Sequence, residues 1–145
     1  MNHKTKVLFL CTGNSARSQM AEAFLRRYGS EQFEAYSAGL EPKGLNPLTV
    51  QVMQGIGFDL SGQRSKGVRE FLGTVLVQEL ITVCDQAEKN CPVTWPSIMR
   101  KTHWSFEDPA AFAADPAQQL AKFREVRDQI QRKVQEWLAE PGRQA

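Results

Sequence analysis

Short unbroken apolar runs alternate along this chain with longer stretches of helical spacing. Val7–Leu10 is apolar without interruption, the pattern of a strand covered on both faces, as in a parallel sheet. From Ser18 to Tyr28 the residues Met20, Ala21, Phe24 and Leu25 keep helical spacing, and Gly29 is the stop. Phe33 to Ala38 alternates and predicts a short strand. Gly39 to Pro47 reads as loop, with Pro47 opening a helix that carries Val50, Val52, Met53 and Ile56 and closes at Gly57. Ser65 to Leu72 predicts a short helix stopped by Gly73. Leu80 to Cys84 predicts a second buried strand ending in cysteine, and Lys101 to Ser105 a further one. The tail is the clearest element: Asp115 caps, Pro116 sits in the first turn, and Leu120, Phe123, Val126, Ile130, Val134 and Trp137 mark one face. Strands alternating with helices predict an α/β domain on a four-stranded parallel sheet, one domain over residues 1–145, with no repeats or linkers.

Composition narrows the partners. A net charge of +2 on 145 residues is too small to argue for nucleic acid or an anionic membrane. Met1 to Lys6 leads straight into a strand, and the apolar run that follows is far too short to span a bilayer, so a cytoplasmic location is expected. The cysteines are Cys11, Cys84 and Cys91, an odd count of three that argues against a structural disulfide framework. They are either buried spectators or working thiols.

The stretch VLFLCTGNSARS favours work. In open parallel sheets ligands bind beyond the carboxyl ends of the strands, and Cys11 sits at that edge. Thr12, Gly13, Asn14, Ser15 and Ala16 are mostly small, and Gly13 is expected to supply unusual backbone conformations. Such a loop turns its amides inward as a nest for an anion, and a helix starting near Arg17 adds positive potential. Arg17 can clamp two oxygens of a tetrahedral oxyanion, and Ser18 can donate to a Cys11 thiolate. In that field the Cys11 pKa is expected to fall below about 8.5. A nucleotide loop is disfavoured by the missing G-K-[ST] ending; a buried cysteine beside a surface arginine is the plain alternative.

C-x5-R-S directly after the first strand resembles the low-molecular-weight protein tyrosine phosphatases. CTGNSARS, with YSAG (36–39), ITVCDQAEKNCP (81–92) and HWSFEDPA (103–110), resembles the thioredoxin-coupled arsenate reductases on that fold. The resemblance covers nearly the whole chain. It implies Asp108, rather than the adjacent Glu107, as general acid, on a loop stiffened by Pro109. Ala110 and Ala111 stand where a phosphatase usually carries an aromatic residue, and Ala16 where it often carries a second loop cysteine. It also implies a relay in which Cys11 attacks arsenate, Cys84 attacks Cys11, and Cys91 attacks Cys84, with thioredoxin reducing the Cys84–Cys91 disulfide. Some reductases of this kind hold potassium near the loop. Asn14, Glu22 and Ser37 match three of its ligands, and Lys66 stands at the fourth, where its ammonium is expected to replace the ion. No metal or other cofactor is expected: a metal site would have only His3 and His103 to add to the cysteines. A monomer is expected.

Asp85 to Asn90 suits a helix. If it is one, Cys84 and Cys91 lie roughly 10 Å apart along its axis at about 1.5 Å per residue. A disulfide needs Cα atoms within about 7 Å, so oxidation must unwind the segment. Two other readings stay open, a tyrosine phosphatase and a redox-sensing binding module that no longer turns over.

Overall fold

The computed structural model of the protein describes residues 4–90, 97–112 and 115–141. Four strands, β1 (Thr5–Cys11), β2 (Phe33–Gly39), β3 (Glu79–Thr82) and β4 (Arg100–His103), alternate with α1 (Arg17–Tyr28), α2 (Pro47–Gln54) and α3 (Asp85–Asn90), and α4 (Pro116–Leu138) closes the chain. The strands form one parallel sheet in the order β2-β1-β3-β4. The chain leaves β1 on one side for β2 and returns on the other for β3. The crevice beyond the carboxyl ends of β1 and β3 is therefore the switch point where such sheets bind ligands. Cys11 ends β1, and Cys84 lies between β3 and α3, so both thiols open into that crevice.

Val7, Leu8, Phe9 and Leu10 are wholly buried because both faces of β1 are covered. Phe33 and Tyr36 are three apart on β2 and so face opposite ways. Phe33 meets Trp137 of α4, with ring centroids 4.9 Å apart, while Tyr36 meets Phe71 across the sheet at 5.5 Å. The α4 stripe buries Phe123, Val126, Ile130, Val134 and Trp137, each worth about 1.5–3 kcal/mol relative to exposure. Leu120 is half-buried at the edge of that stripe. Asp115 Oδ1 accepts the Gln118 N–H at 2.8 Å and Pro116 follows it, the expected start of α4.

Three expected elements end elsewhere. The strand after residue 79 stops at Thr82, so Cys84 lies past the sheet rather than in it, and β4 covers Arg100–His103 rather than running on to Ser105. Helix α2 closes at Gly55, not Gly57. Gly57, at φ 87°, instead turns the chain so that the Phe58 N–H reaches the Met53 carbonyl at 2.9 Å. Ser65 to Leu72 is not a helix; only Val68–Glu70 makes a 3-10 turn. The Lys66 carbonyl is taken by the Gly39 N–H (2.8 Å) and the Lys66 N–H by Asn14 Oδ1 (2.8 Å), which leaves neither group for a helix. Among the described residues no helix is long and apolar enough to cross a membrane.

Candidate active site

The loop after β1 is shaped by where its carbonyls go. Cys11 C=O accepts from Leu40 N–H (3.1 Å), Thr12 C=O from Glu41 (2.8 Å), Gly13 C=O from Lys43 (3.0 Å) and Ser15 C=O from Asn46 (3.0 Å). In a trans peptide the N–H points opposite to the C=O, so carbonyls turned outward to the 40–46 segment turn the following amides toward the inside of the loop. Helix α1 adds its own amides, because Ala16 at its start offers no side-chain cap.

Asn14 holds this curve. It alone among the described non-glycine residues has a positive φ, 49°. Its side chain is fully buried, donating to Ser18 Oγ (2.8 Å) and accepting from Gln19 Nε2 (2.9 Å) and the Lys66 N–H (2.8 Å). The unusual backbone conformation expected of Gly13 falls instead on Asn14, a residue type that tolerates a positive φ. Ser18, expected to serve Cys11, receives the Asn14 amide. Gln19, which the sequence reading passed over, also holds the Asn14 and Arg64 carbonyls (3.2 and 2.8 Å) and is itself fully buried.

Beside this hub, Lys66 Nζ stands 3.5 Å from Glu22 Oε1, 3.5 Å from Ser37 Oγ and 2.7 Å from the Arg64 carbonyl. Glu22, nearly buried, also takes Ser37 and Arg26. Asn14, Glu22, Ser37 and Lys66 are therefore brought together. Burial pushes the Lys66 ammonium pKa down, and Glu22 pulls it back up.

The cleft itself, about 780 Å³, is lined by Cys11, Thr12, Gly13, Ser15, Ala16 and Arg17 on one side and by Cys84, Asp85, Glu107 and Asp108 on the other. Arg17 Nη1 donates to the Phe106 carbonyl (3.1 Å) and Nη2 stands 3.7 Å from Asp108 Oδ2, which ties the acid-bearing segment to the loop. Arg17 Nε is buried with no hydrogen-bond partner among the described residues, a donor suited to an oxyanion oxygen. Asp108 also caps the 3-10 turn Pro109–Ala111, its Oδ1 accepting the Ala110 N–H at 3.0 Å.

Cys11 and Cys84 are both buried and line the same cleft, near enough for each thiol to shift the other's titration. Cys84 Sγ meets the Thr12 hydroxyl at 3.4 Å and the Ala87 N–H at 3.4 Å. The neighbouring Cys11 thiol, with the Thr12 and Ala87 donors, lowers the Cys84 pKa to about 5. Cys11 goes the other way: the neighbouring Cys84 thiol and burial raise it against the pull of Arg17 and the Thr12 N–H. The sequence expectation of a lowered Cys11 did not include a neighbouring second thiol. Two neighbouring thiols lose the first proton easily and the second with difficulty, because the first thiolate repels a second. Cys91 lies outside the described residues.

A family model described as low molecular weight phosphotyrosine protein phosphatase matches residues 6–145. A protein of Halalkalibacterium halodurans named arsenate reductase is 41% identical over 143 residues, covering 99% of this chain and all (100%) of that protein. One of the same name from Bacillus subtilis is 40% identical over 138 residues, 94% of this chain and 96% of that one. A solved arsenate reductase in the oxidized state matches with TM-score 0.78 at 32% identity, over 93% of this chain and 97% of its own. The fold is shared by a low molecular weight protein tyrosine phosphatase from T. tengcongensis, TM-score 0.74 at 21% identity, over 93% of this chain and 98% of that one.

Proposed function

This chain belongs to the low molecular weight phosphotyrosine protein phosphatase family, and we propose that within it the protein reduces arsenate to arsenite. The observation that carries the reading is the second thiol: Cys84 lines the same cleft as Cys11 and Arg17. A phosphatase needs one cysteine, an arginine and an acid; arsenate reduction needs two electrons as well, and adjacent thiols can supply them. The names of the relatives at about 40% identity support it.

The relay runs as follows. The loop amides of Thr12–Ser18 and the Arg17 guanidinium bind arsenate. A bound arsenate oxygen takes the proton of Cys11, and the Cys11 thiolate attacks arsenic. Asp108 gives its proton to the departing oxygen, which leaves as water. The Cys84 thiolate then attacks Cys11 Sγ. As the S–S bond forms, the S–As electron pair passes to arsenic, which falls from As(V) to As(III) and leaves as arsenite. Cys91 attacks Cys84, releasing Cys11 and closing a Cys84–Cys91 disulfide. An external dithiol, thioredoxin, takes over that bond by the same exchange and restores both thiols. No step needs a metal or an organic cofactor. The protein works in the cytoplasm as a monomer, for arsenic detoxification.

A weaker hydrolytic activity on small aryl phosphates belongs to the same reading, because phosphate and arsenate share shape and charge and Asp108 is in place. Ala110 and Ala111 line the cleft and offer no aromatic wall for phosphotyrosine. A redox sensor without turnover would need neither Arg17 nor Asp108 aimed at the cleft.

Arsenate-dependent NADPH oxidation with thioredoxin and thioredoxin reductase tests the proposal. Cys11→Ser should abolish both activities, and Cys84→Ser and Cys91→Ser only multiple-turnover reduction. Full thioredoxin-linked turnover in Cys84→Ser would end the relay.

A further inference from the structure

Glu107 and Asp108 are neighbouring carboxylates that both line the cleft, yet only one faces Arg17. What separates them comes from α4. Lys122 Nζ stands 3.1 Å from Glu107 Oε2 and 2.9 Å from Glu125 Oε2, and it lies over the Phe112 ring, 4.9 Å from its centroid. Its side chain is only 18% exposed, so the ammonium is held between these groups rather than swinging in solvent. Glu107 and Phe112 bracket Asp108 and its 3-10 turn. One lysine therefore pins both ends of the acid-bearing segment to the long helix, while Arg17 holds the Phe106 carbonyl from the opposite side.

The lysine has a second effect. A Glu107 carboxylate released from Lys122 would hang at the cleft beside Arg17. It would compete with Asp108 for the guanidinium and repel an incoming dianion. Bound to Lys122, its charge is neutralised and turned toward α4. Burial of the aliphatic stem against Phe112 adds to the hold.

We propose that Lys122 is a positioning residue: by holding Glu107 and Phe112 on α4 it makes Asp108, and not Glu107, the acid presented to the oxyanion. The inference rests on the reading of this site as an arsenate-reducing cleft with Asp108 as its acid.

The test is a double-mutant cycle on steady-state arsenate reduction, with kcat and KM measured separately. Wild type and Asp108→Asn come first. Loss of a positioned general acid should lower kcat about a hundredfold, and failure here counts against the functional reading, not against Lys122. Lys122→Met should then lower kcat roughly tenfold, since small displacements of a catalytic group are costly. It should also raise KM, because Glu107 is set free. Lys122→Arg should restore kcat to within about threefold, keeping charge and reach. In the Asp108→Asn background, Lys122→Met should cause no further fall in kcat, because the group it positions is already gone. Glu107→Gln with Lys122→Met should return KM toward wild type while kcat stays low.

Unchanged kcat in Lys122→Met would overturn the proposal. So would the same fractional loss from Lys122→Met with and without Asp108, the signature of a merely structural contact. Should Lys122→Met fold poorly, Glu107→Gln alone breaks the same link, and a kcat equal to wild type there would also be decisive.

Discussion

Gly39 stands so close to the loop it supports that a Cβ added there would lie 2.6 Å from the Thr12 carbonyl oxygen and 2.9 Å from the Asn14 nitrogen. Both neighbours are backbone, so neither gives way cheaply. Gly39 also ends β2 opposite Cys11, and its N–H holds the Lys66 carbonyl. Gly39→Ala should therefore push the loop out of shape, with loss of phosphate or arsenate binding larger than loss of stability. Gly13 offers the contrast. A Cβ there would meet only Ser15 Oγ at 3.5 Å and the flexible Lys43 side chain at 3.6 Å. Gly13→Ala should bind oxyanion within a few-fold of wild type. Equal damage from the two substitutions, measured by calorimetric titration, would show that the close approach at residue 39 does not shape the loop.

The thiol pair predicts a pH course for stability. With its pKa lowered to about 5, Cys84 is ionised in the fold while the unfolded chain still binds the proton. The unfolded state binds more protons across that window, so stability should rise with pH from about 5 to the ordinary thiol range near 8.5 and be lost as pH falls through about 5. Above the ordinary range the sign reverses, because Cys11, raised by burial and by Cys84, stays protonated in the fold while the unfolded chain ionises. Denaturant midpoints against pH should show this rise in wild type and lose it in Cys84→Ser. Cys11→Ser removes the largest cause of the lowering, so thiolate absorbance should titrate at a higher pH in that variant.

The sheet, the long tail helix and the place of Cys11 at the edge of the cleft are legible because each rests on local signals: an unbroken apolar run, an Asp-Pro cap before a helical stripe, a thiol at a strand end. The Ser65–Leu72 misreading shows the limit. Its residues have helical spacing, but their backbone groups are spent on Asn14 and Gly39, partners that are distant in sequence. Gln19 was missed for the same reason: a buried glutamine declares a role only when the carbonyls it holds are known. For Cys11 the lowering field of Arg17 can be read from the local sequence, whereas the opposing effect of Cys84 depends on how β3 returns beside β1.

Lys66 replaces an ion in this reading, and that is testable without touching catalysis. Its ammonium is hemmed in by Glu22, Ser37 and the Arg64 carbonyl, with 13% of the side chain exposed. Melting temperature and the KM for arsenate should be the same in potassium and in sodium at equal ionic strength. Lys66→Met leaves the Glu22 carboxylate with one cationic partner fewer in a buried setting and should cost about 1–3 kcal/mol. A clear potassium-specific rise in melting temperature of the wild type would refute the replacement.

The last prediction concerns α3. It places its six residues, Asp85–Asn90, between Cys84 and Cys91, so the helix and a disulfide between those cysteines exclude each other on length. Its anchors suit release. Among its described side chains, those of residues 85–89, only Ala87 is fully buried. The rest of the hold is polar: Asp85 Oδ1 with His103 Nε2 (3.0 Å) and with the Ser105 hydroxyl (3.2 Å), and Glu88 with the Thr82 hydroxyl. Water can replace each of these at little net cost, whereas the apolar stripe of α4 has no such substitute. Oxidation of the relay should therefore unwind α3, carry the new disulfide out of the cleft to where a reductant can reach it, and leave α4 intact. Hydrogen exchange of the two redox states reads this directly. Amides of Asp85–Asn90 should exchange faster in the oxidised protein, and those of Pro116–Leu138 at the same rate in both. The Cys91→Ser variant treated with one equivalent of arsenate should stall at the Cys11–Cys84 bond and keep α3 protected, because that bond does not span the helix. Protection of Asp85–Asn90 that is equal in reduced and fully oxidised wild type would show that the disulfide forms without a switch.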